Sequence, residues 1–234
     1  MKRFLYLAAL LLTVACAKNH LIVSGVVAMG SSDGTTFITD EGVRCTVTSC
    51  ETEKPLPASE RLYVIFDIIQ QTSQGYDIRV TRWTQPLVKD YLTASSVTDD
   101  KALGDAPVKI LGGWTGGGYL NLDISLSLKM ESDTKHLINL VVEDPKADAD
   151  TLRMTLRHHS SGESLTAAML NADTEGVLTE TYAYGRSYVC FPTRGLLPDG
   201  KEEMPFKITS TWITQDEQGG YVEEKVYSIG NLKK

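Results

Sequence analysis

Several things are missing from this 234-residue chain, and each absence narrows what it can be. No apolar run reaches the ~20 residues that a membrane-spanning helix needs. Lys and Arg are never concentrated into a run, and the formal charge of −7 repels phosphate backbones, so nucleic acid is not expected as a partner. The single Gly-x-Ser-x-Gly match, Gly30-Ser31-Ser32-Asp33-Gly34, falls in a turn followed by an expected strand rather than a helix, so the strand–turn–helix elbow of the serine hydrolases is missing. The chain also has no internal repeat, no low-complexity tract and no long Ser/Gly/Pro linker. Cysteine is scarce, at four residues.

What is present begins at the N-terminus. Lys2 and Arg3 precede an apolar run, Phe4–Leu12, and then Leu12-Thr13-Val14-Ala15-Cys16. A positive start, a short apolar stretch and a small residue before the cut describe a secretory signal peptide. A cysteine directly after that small residue resembles the bacterial lipoprotein cleavage box. The resemblance implies cleavage before Cys16, so that residues 1–15 are leader and Cys16 is the lipidation site. Multiple acyl chains anchor firmly, because each buried methylene adds ~0.8 kcal/mol. Loss of Lys2 and Arg3 would take the formal charge from −7 to −9. With Cys16 acylated, Cys45, Cys50 and Cys190 remain. An exported compartment permits disulfides, and Cys45 and Cys50 are read as either a pair across a bend or two free thiols.

The rest reads as all-β. Strands are expected over Leu21–Met29, Thr35–Thr39, Val43–Val47, Leu62–Ile69 and Tyr76–Trp83, most joined by short turns such as Asp40-Glu41-Gly42. Five strands in so short a span suit a small closed barrel. Pro86–Leu92 is expected to make one or two helical turns. Gly112–Leu128 runs from five glycines and a tryptophan into strict alternation: Leu120, Leu122, Ile124, Leu126 and Leu128 toward a core, Asn121, Asp123, Ser125 and Ser127 toward water. This stretch is expected to be the junction between a shorter first domain and a larger second one. Strands at Lys135–Val142, Leu152–His158, Tyr182–Phe191, Phe206–Thr214 and Tyr221–Ile229, with a turn at Pro198-Asp199-Gly200, predict a β-sandwich. Leu165–Leu170 is either a helical turn or a loop. The expected division is an OB-like β-barrel over 16–103 and a β-sandwich over 104–234.

At this point a family resemblance emerges. Trp114, Gly117, Gly118, Tyr119, Leu120 and Asn121, then Lys135, His136, Ile138, Asn139 and Leu140, then Leu156, Arg157 and His158, resemble the NigD-like lipoproteins of Bacteroides-type bacteria. Arg61–Phe66, Tyr76–Val80 and Leu87–Asp90 resemble the later strands and exit of that family's barrel. The resemblance implies an N-terminal OB-type barrel and a C-terminal β-sandwich. It carries over no catalytic residues. The family name reflects an association with bacteriocin production.

Candidate chemistry is sparse. His158 and His159 are neighbours in a strand and point to opposite faces, so they cannot chelate one ion together, and His136 could add at most one ligand to either. Hydrogen-bonded histidines at a sheet edge are the expected arrangement. Asp123 with Asp133, or Glu143, Asp144 and Asp148, could supply paired carboxylates or Ca²⁺ oxygens, though a solvated loop explains the second group. The glycines at 112–113 and 116–118 lack the Lys-Ser/Thr and helix of a phosphate loop. Arg153, Arg157 and Arg194 are candidates for an anion-binding face, and Trp83, Trp114 and Trp212 for glycan stacking platforms. The sequence therefore predicts a non-catalytic cell-envelope lipoprotein without cofactor or metal, in the outer membrane with the periplasmic face favoured. It would bind a protein or peptide partner, with bacteriocin self-protection as one version; a carbohydrate-binding lipoprotein is the alternative.

Overall fold

A computed structural model describes residues 23–143, 150–173, 176–197 and 201–233. The leader, Cys16, the start of the strand expected at Leu21, the Asp144 and Asp148 carboxylates and the Pro198-Asp199-Gly200 turn all lie outside the described residues. Two compact units are present, the first ending at Thr84 and the second beginning at Gln85.

The first unit is a closed five-stranded barrel. Its strands are β1 (Val23–Asp33), β2 (Thr36–Thr39), β3 (Arg44–Cys50), β4 (Ala58–Thr72) and β5 (Gly75–Thr84), ordered β1-β2-β3-β5-β4 and closed by β4 against β1. All pairings are antiparallel except β3 with β5. That strand order is OB-like. Alternation supplies the interior: Leu62, Val64 and Phe66 from β4 and Ile78 and Val80 from β5 are all at most 2% exposed, packed with Phe37. Bulges between Ile65 and Phe66 and between Ile68 and Gln70 bend β4, which lets one long strand pair on both sides of the closure. Gly75 is required by close approach. Its φ is +142°, and a Cβ there would stand 1.9 Å from the Arg44 carbonyl oxygen.

A buried ion pair braces this unit. Arg61 is 1% exposed and grips Asp40 through both terminal nitrogens, at 2.5 and 3.0 Å. Asp40 belongs to the β2–β3 turn, so the ion pair fixes that turn to β4.

The second unit is a β-sandwich. A five-stranded sheet runs β14 (Tyr221–Lys233), β13 (Glu203–Gln215), β11 (Leu152–His159), β10 (Leu137–Val142), β7 (Leu92–Thr93). A four-stranded sheet runs β6 (Leu87–Val88), β12 (Tyr182–Pro192), β9 (Tyr119–Lys129), β8 (Val108–Gly116). The shared core takes Leu120, Leu122 and Ile124 from one sheet and Leu140, Met154 and Phe206 from the other.

Three expectations need correction. Pro86–Leu92 is not helical: Leu87 and Val88 pair with β12, while Leu92 and Thr93 pair with β10. This short strap thus closes an edge of each sheet, held by Lys89 Nζ to Asn139 Oδ1 (2.5 Å) and the Tyr91 hydroxyl to the Arg194 carbonyl (3.2 Å). Residues 85–103 consequently go with the sandwich rather than the barrel, because their strands hydrogen-bond there. Gly112–Leu128 is not a junction between domains but the β8–β9 hairpin inside the sandwich. Gly116 pairs with Tyr119 across Gly117 and Gly118, whose φ values of 58° and 83° give the tight turn that twisted hairpins favour. Leu165–Leu170 resolves in favour of helix, at Ala167–Ala172 with Thr166 as its cap.

Candidate functional site

Side chains at 121, 123 and 127 do not face water as alternation predicted. Asn121 is 0%, Asp123 7% and Ser127 3% exposed. Asp123 is engaged by Arg186, with Nε to Oδ1 at 2.8 Å and a terminal nitrogen to Oδ2 at 2.5 Å. Such bidentate geometry orients the guanidinium as well as holding it. The Asp123 side chain is 10% exposed and that of Arg186 62%, so the pair consists of a covered anchor and a presented cation.

Around this pair lies a cluster of large side chains. Tyr184, Arg186 and Tyr188 alternate along β12 and share one face, because Gly185, Ser187 and Val189, opposite Leu126, Ile124 and Leu122, take the other. The Arg186 guanidinium sits 5.7 Å from the Tyr188 ring centre, and Trp114 of β8 meets Tyr188 edge-on at 6.4 Å. Tyr184 is 60% and Trp114 37% exposed. The alternation of β9 could reveal this face, but nothing local in the sequence shows that Arg186 anchors to Asp123, 63 residues away.

The histidines form a different arrangement. His136 Nδ1 and His158 Nε2 are 2.8 Å apart and the rings stack at 5.0 Å. His158 is fully buried on the core side of β11, a central strand rather than a sheet edge, which corrects that expectation. Its Nδ1 lies 3.1 Å from the Pro107 carbonyl, which can only accept. Nδ1 therefore carries the proton, Nε2 accepts, and His136 donates from Nδ1. Burial pushes the His158 pKa down to about 4 and also lowers that of His136, which the nearby Glu163 carboxylate partly offsets. Glu163 in turn accepts from the Ser132 hydroxyl. These contacts tie together the loops before β8, before β10 and after β11. Among the described residues no group of three or more His, Cys, Asp or Glu is placed to hold a metal ion.

The remaining sequence candidates disperse. Cys45 and Cys50 are free thiols, and Cys190 is buried in β12. Cys45 and Cys50 lie in the same extended strand, where a rise of ~3.3 Å per residue separates their Cα atoms far beyond the ~7 Å limit for a disulfide. Arg157 binds the Gly104 carbonyl (2.7 Å) and Asp100 (3.1 Å). Arg153 projects from the exposed face of β11. Trp212 lies against Tyr184, with Lys109 Nζ 5.5 Å from its ring centre. Trp83 borders a cleft on the barrel.

The class of protein is thus a two-unit all-β chain, an OB-like barrel followed by a β-sandwich. Residues 90–171 match the family described as the NigD-like C-terminal beta sandwich domain, and the NigD-like resemblance read from the sequence stands on that match. A NigD-like immunity protein from Bacteroides caccae shares the fold at 19% identity and a TM-score of 0.57, over 89% of this chain and 94% of that one. A candidate lipoprotein from Bacteroides fragilis does so at 15% identity and 0.58, over 88% and 97%. A protein of unknown function from Bacteroides vulgatus does so at 17% and 0.56, over 89% and 91%. No protein of curated function matches the sequence.

Proposed function

We propose that this chain is a non-catalytic lipoprotein of the cell envelope, anchored through acylated Cys16, that binds a protein or peptide partner on the outer face of its four-stranded sheet. The observation that carries the reading is the Tyr184–Arg186–Tyr188–Trp114 cluster. Trp, Tyr and Arg dominate the energetic centres of protein interfaces, and Arg186 is already oriented by Asp123, which lowers the ordering cost on association. The fold neighbours named an immunity protein and a candidate lipoprotein are consistent with this role. Self-protection against a bacteriocin is the finer version, with the chain in the outer membrane facing the periplasm.

In-cell crosslinking of the acylated protein, followed by mass spectrometry, tests the reading. A single dominant envelope protein should be captured, and Arg186→Glu or Trp114→Ala should abolish its capture. Undiminished capture by both variants would remove this face from the account. Failure of Cys16→Ala to release the chain from membranes would remove the anchor.

A further inference from the structure

The barrel carries a site that the docking face does not use. A cleft of ≈ 670 Å³ lies between the segment after β3 and the end of β5, bordered by Glu51, Thr52, Glu53, Lys54, Arg82 and Trp83. Its volume is in the range of small-ligand sites, roughly 300–1,000 Å³. Trp83 packs against the barrel core and also borders the cleft, so it forms a wall. The indole N–H is 3.1 Å from the Thr52 hydroxyl and 3.3 Å from the Lys54 carbonyl. Those bonds fix the ring and staple the segment after β3 to β5. The wall is therefore formed before any ligand arrives.

The chemistry of the rim decides what fits. Glu51 and Glu53 balance Lys54 and Arg82, so the cleft has no net charge with which to attract a phosphate. Glu51 is additionally 3.3 Å from Arg79. Carboxylates accept and the ammonium and guanidinium donate, so the rim can hydrogen-bond both the donor and the acceptor side of a hydroxyl. A pinned indole beside that rim matches a ring with one apolar C–H face and an edge of hydroxyls. The slightly positive C–H hydrogens would meet the negative π face of the indole. Trp212 is already occupied by Lys109 and Tyr184, and Trp114 by Tyr188, which leaves Trp83 as the platform among the three.

We propose that the Trp83 cleft binds an uncharged pyranose unit of a glycan, with Trp83 as the stacking wall and Arg82 and Glu53 as hydroxyl ligands. The site is independent of the protein-docking face and stands or falls separately.

The test is a titration of the full mature chain with neutral hexoses, N-acetylhexosamines and neutral oligosaccharides, read by tryptophan fluorescence and by saturation transfer to the sugar protons. At least one sugar should give a saturable signal with a dissociation constant of ~1 mM or below. Arg82→Ala and Glu53→Gln, which leave the indole staple intact, should each weaken binding at least ~10-fold, while Trp212→Phe leaves it unchanged. Trp83→Ala should abolish it, with thermal melting run alongside to check folding. Three results would overturn the proposal. These are a flat titration across the sugars up to their solubility, binding that survives both rim variants, or a nucleoside that binds where sugars do not.

Discussion

His136 donates through Nδ1 to Nε2 of His158, whose own Nδ1–H is held by the Pro107 carbonyl. With His136 donating from Nδ1, a second proton on Nε2 of His158 would place two donors face to face, so protonation of the buried ring disrupts this arrangement. The consequence is a pH dependence of defined sign. In the unfolded chain a histidine titrates near 6.5, whereas His158 in the fold titrates at about 4. Between those values the unfolded state binds more protons, so stability is complete above pH 6.5 and declines as pH falls toward 4. The loss from this one group is about 3 kcal/mol by the lower limit. Urea midpoints measured from pH 7.5 to 5 should fall steadily for the native chain and far less for His158→Gln. Parallel curves would show that the histidine pair is not the titrating element.

Arg61 and Asp40 lead to a second expectation. Arg61→Met would leave the Asp40 carboxylate, 5% exposed, without its guanidinium. Breaking a buried pair on one side costs about 3–5 kcal/mol. The double variant Arg61→Met/Asp40→Asn should recover part of that loss in chemical denaturation, because no orphaned charge remains.

Two glycines separate conformation from mere flexibility. Gly75→Ala drives a Cβ into the Arg44 carbonyl at a φ that side chains rarely adopt, and should lower stability by more than ~1 kcal/mol. Gly112→Ala meets nothing within 4 Å and should leave the melting temperature nearly unchanged.

Thiol reactivity should rank by burial. Cys45 is 1% and Cys190 0% exposed, whereas Cys50 is half-buried. Burial also pushes the Cys45 pKa up to about 11, which removes its thiolate at neutral pH. Alkylation followed by peptide mass spectrometry should modify Cys50 first in the native state. Under oxidising conditions no Cys45–Cys50 crosslink should form without unfolding.

The parts of this fold that could be read in advance are those whose signal is local. Leu62, Val64 and Phe66, like Ile78 and Val80, announce their strands by alternation, and the turn at Gly117-Gly118 by composition. The strap escaped because Leu87–Val88 and Leu92–Thr93 are too short to have a period, and their partners lie far along the chain. Asn121 and Asp123 read as water-facing because alternation identifies two faces without saying whether the second is also covered. The meeting of His136 with His158 could be foreseen as a cross-strand contact, but not the full burial of His158, which depends on Pro107 from another loop.

The strap also sets an order of events for the newly made chain. Tyr91 of the strap bonds Arg194, 103 residues later, and Lys89 bonds Asn139, 50 residues later. Pairings over such distances form slowly because loop closure precedes any reward. The edge of β10 can be covered as soon as the first half of the sandwich exists, whereas β6 has no partner until β12 has emerged. A chain threaded across a membrane from its N-terminus would therefore carry the backbone of Leu87 and Val88 unpaired through most of its transit. Of all the strands in the sandwich, this two-residue one waits longest for its neighbour.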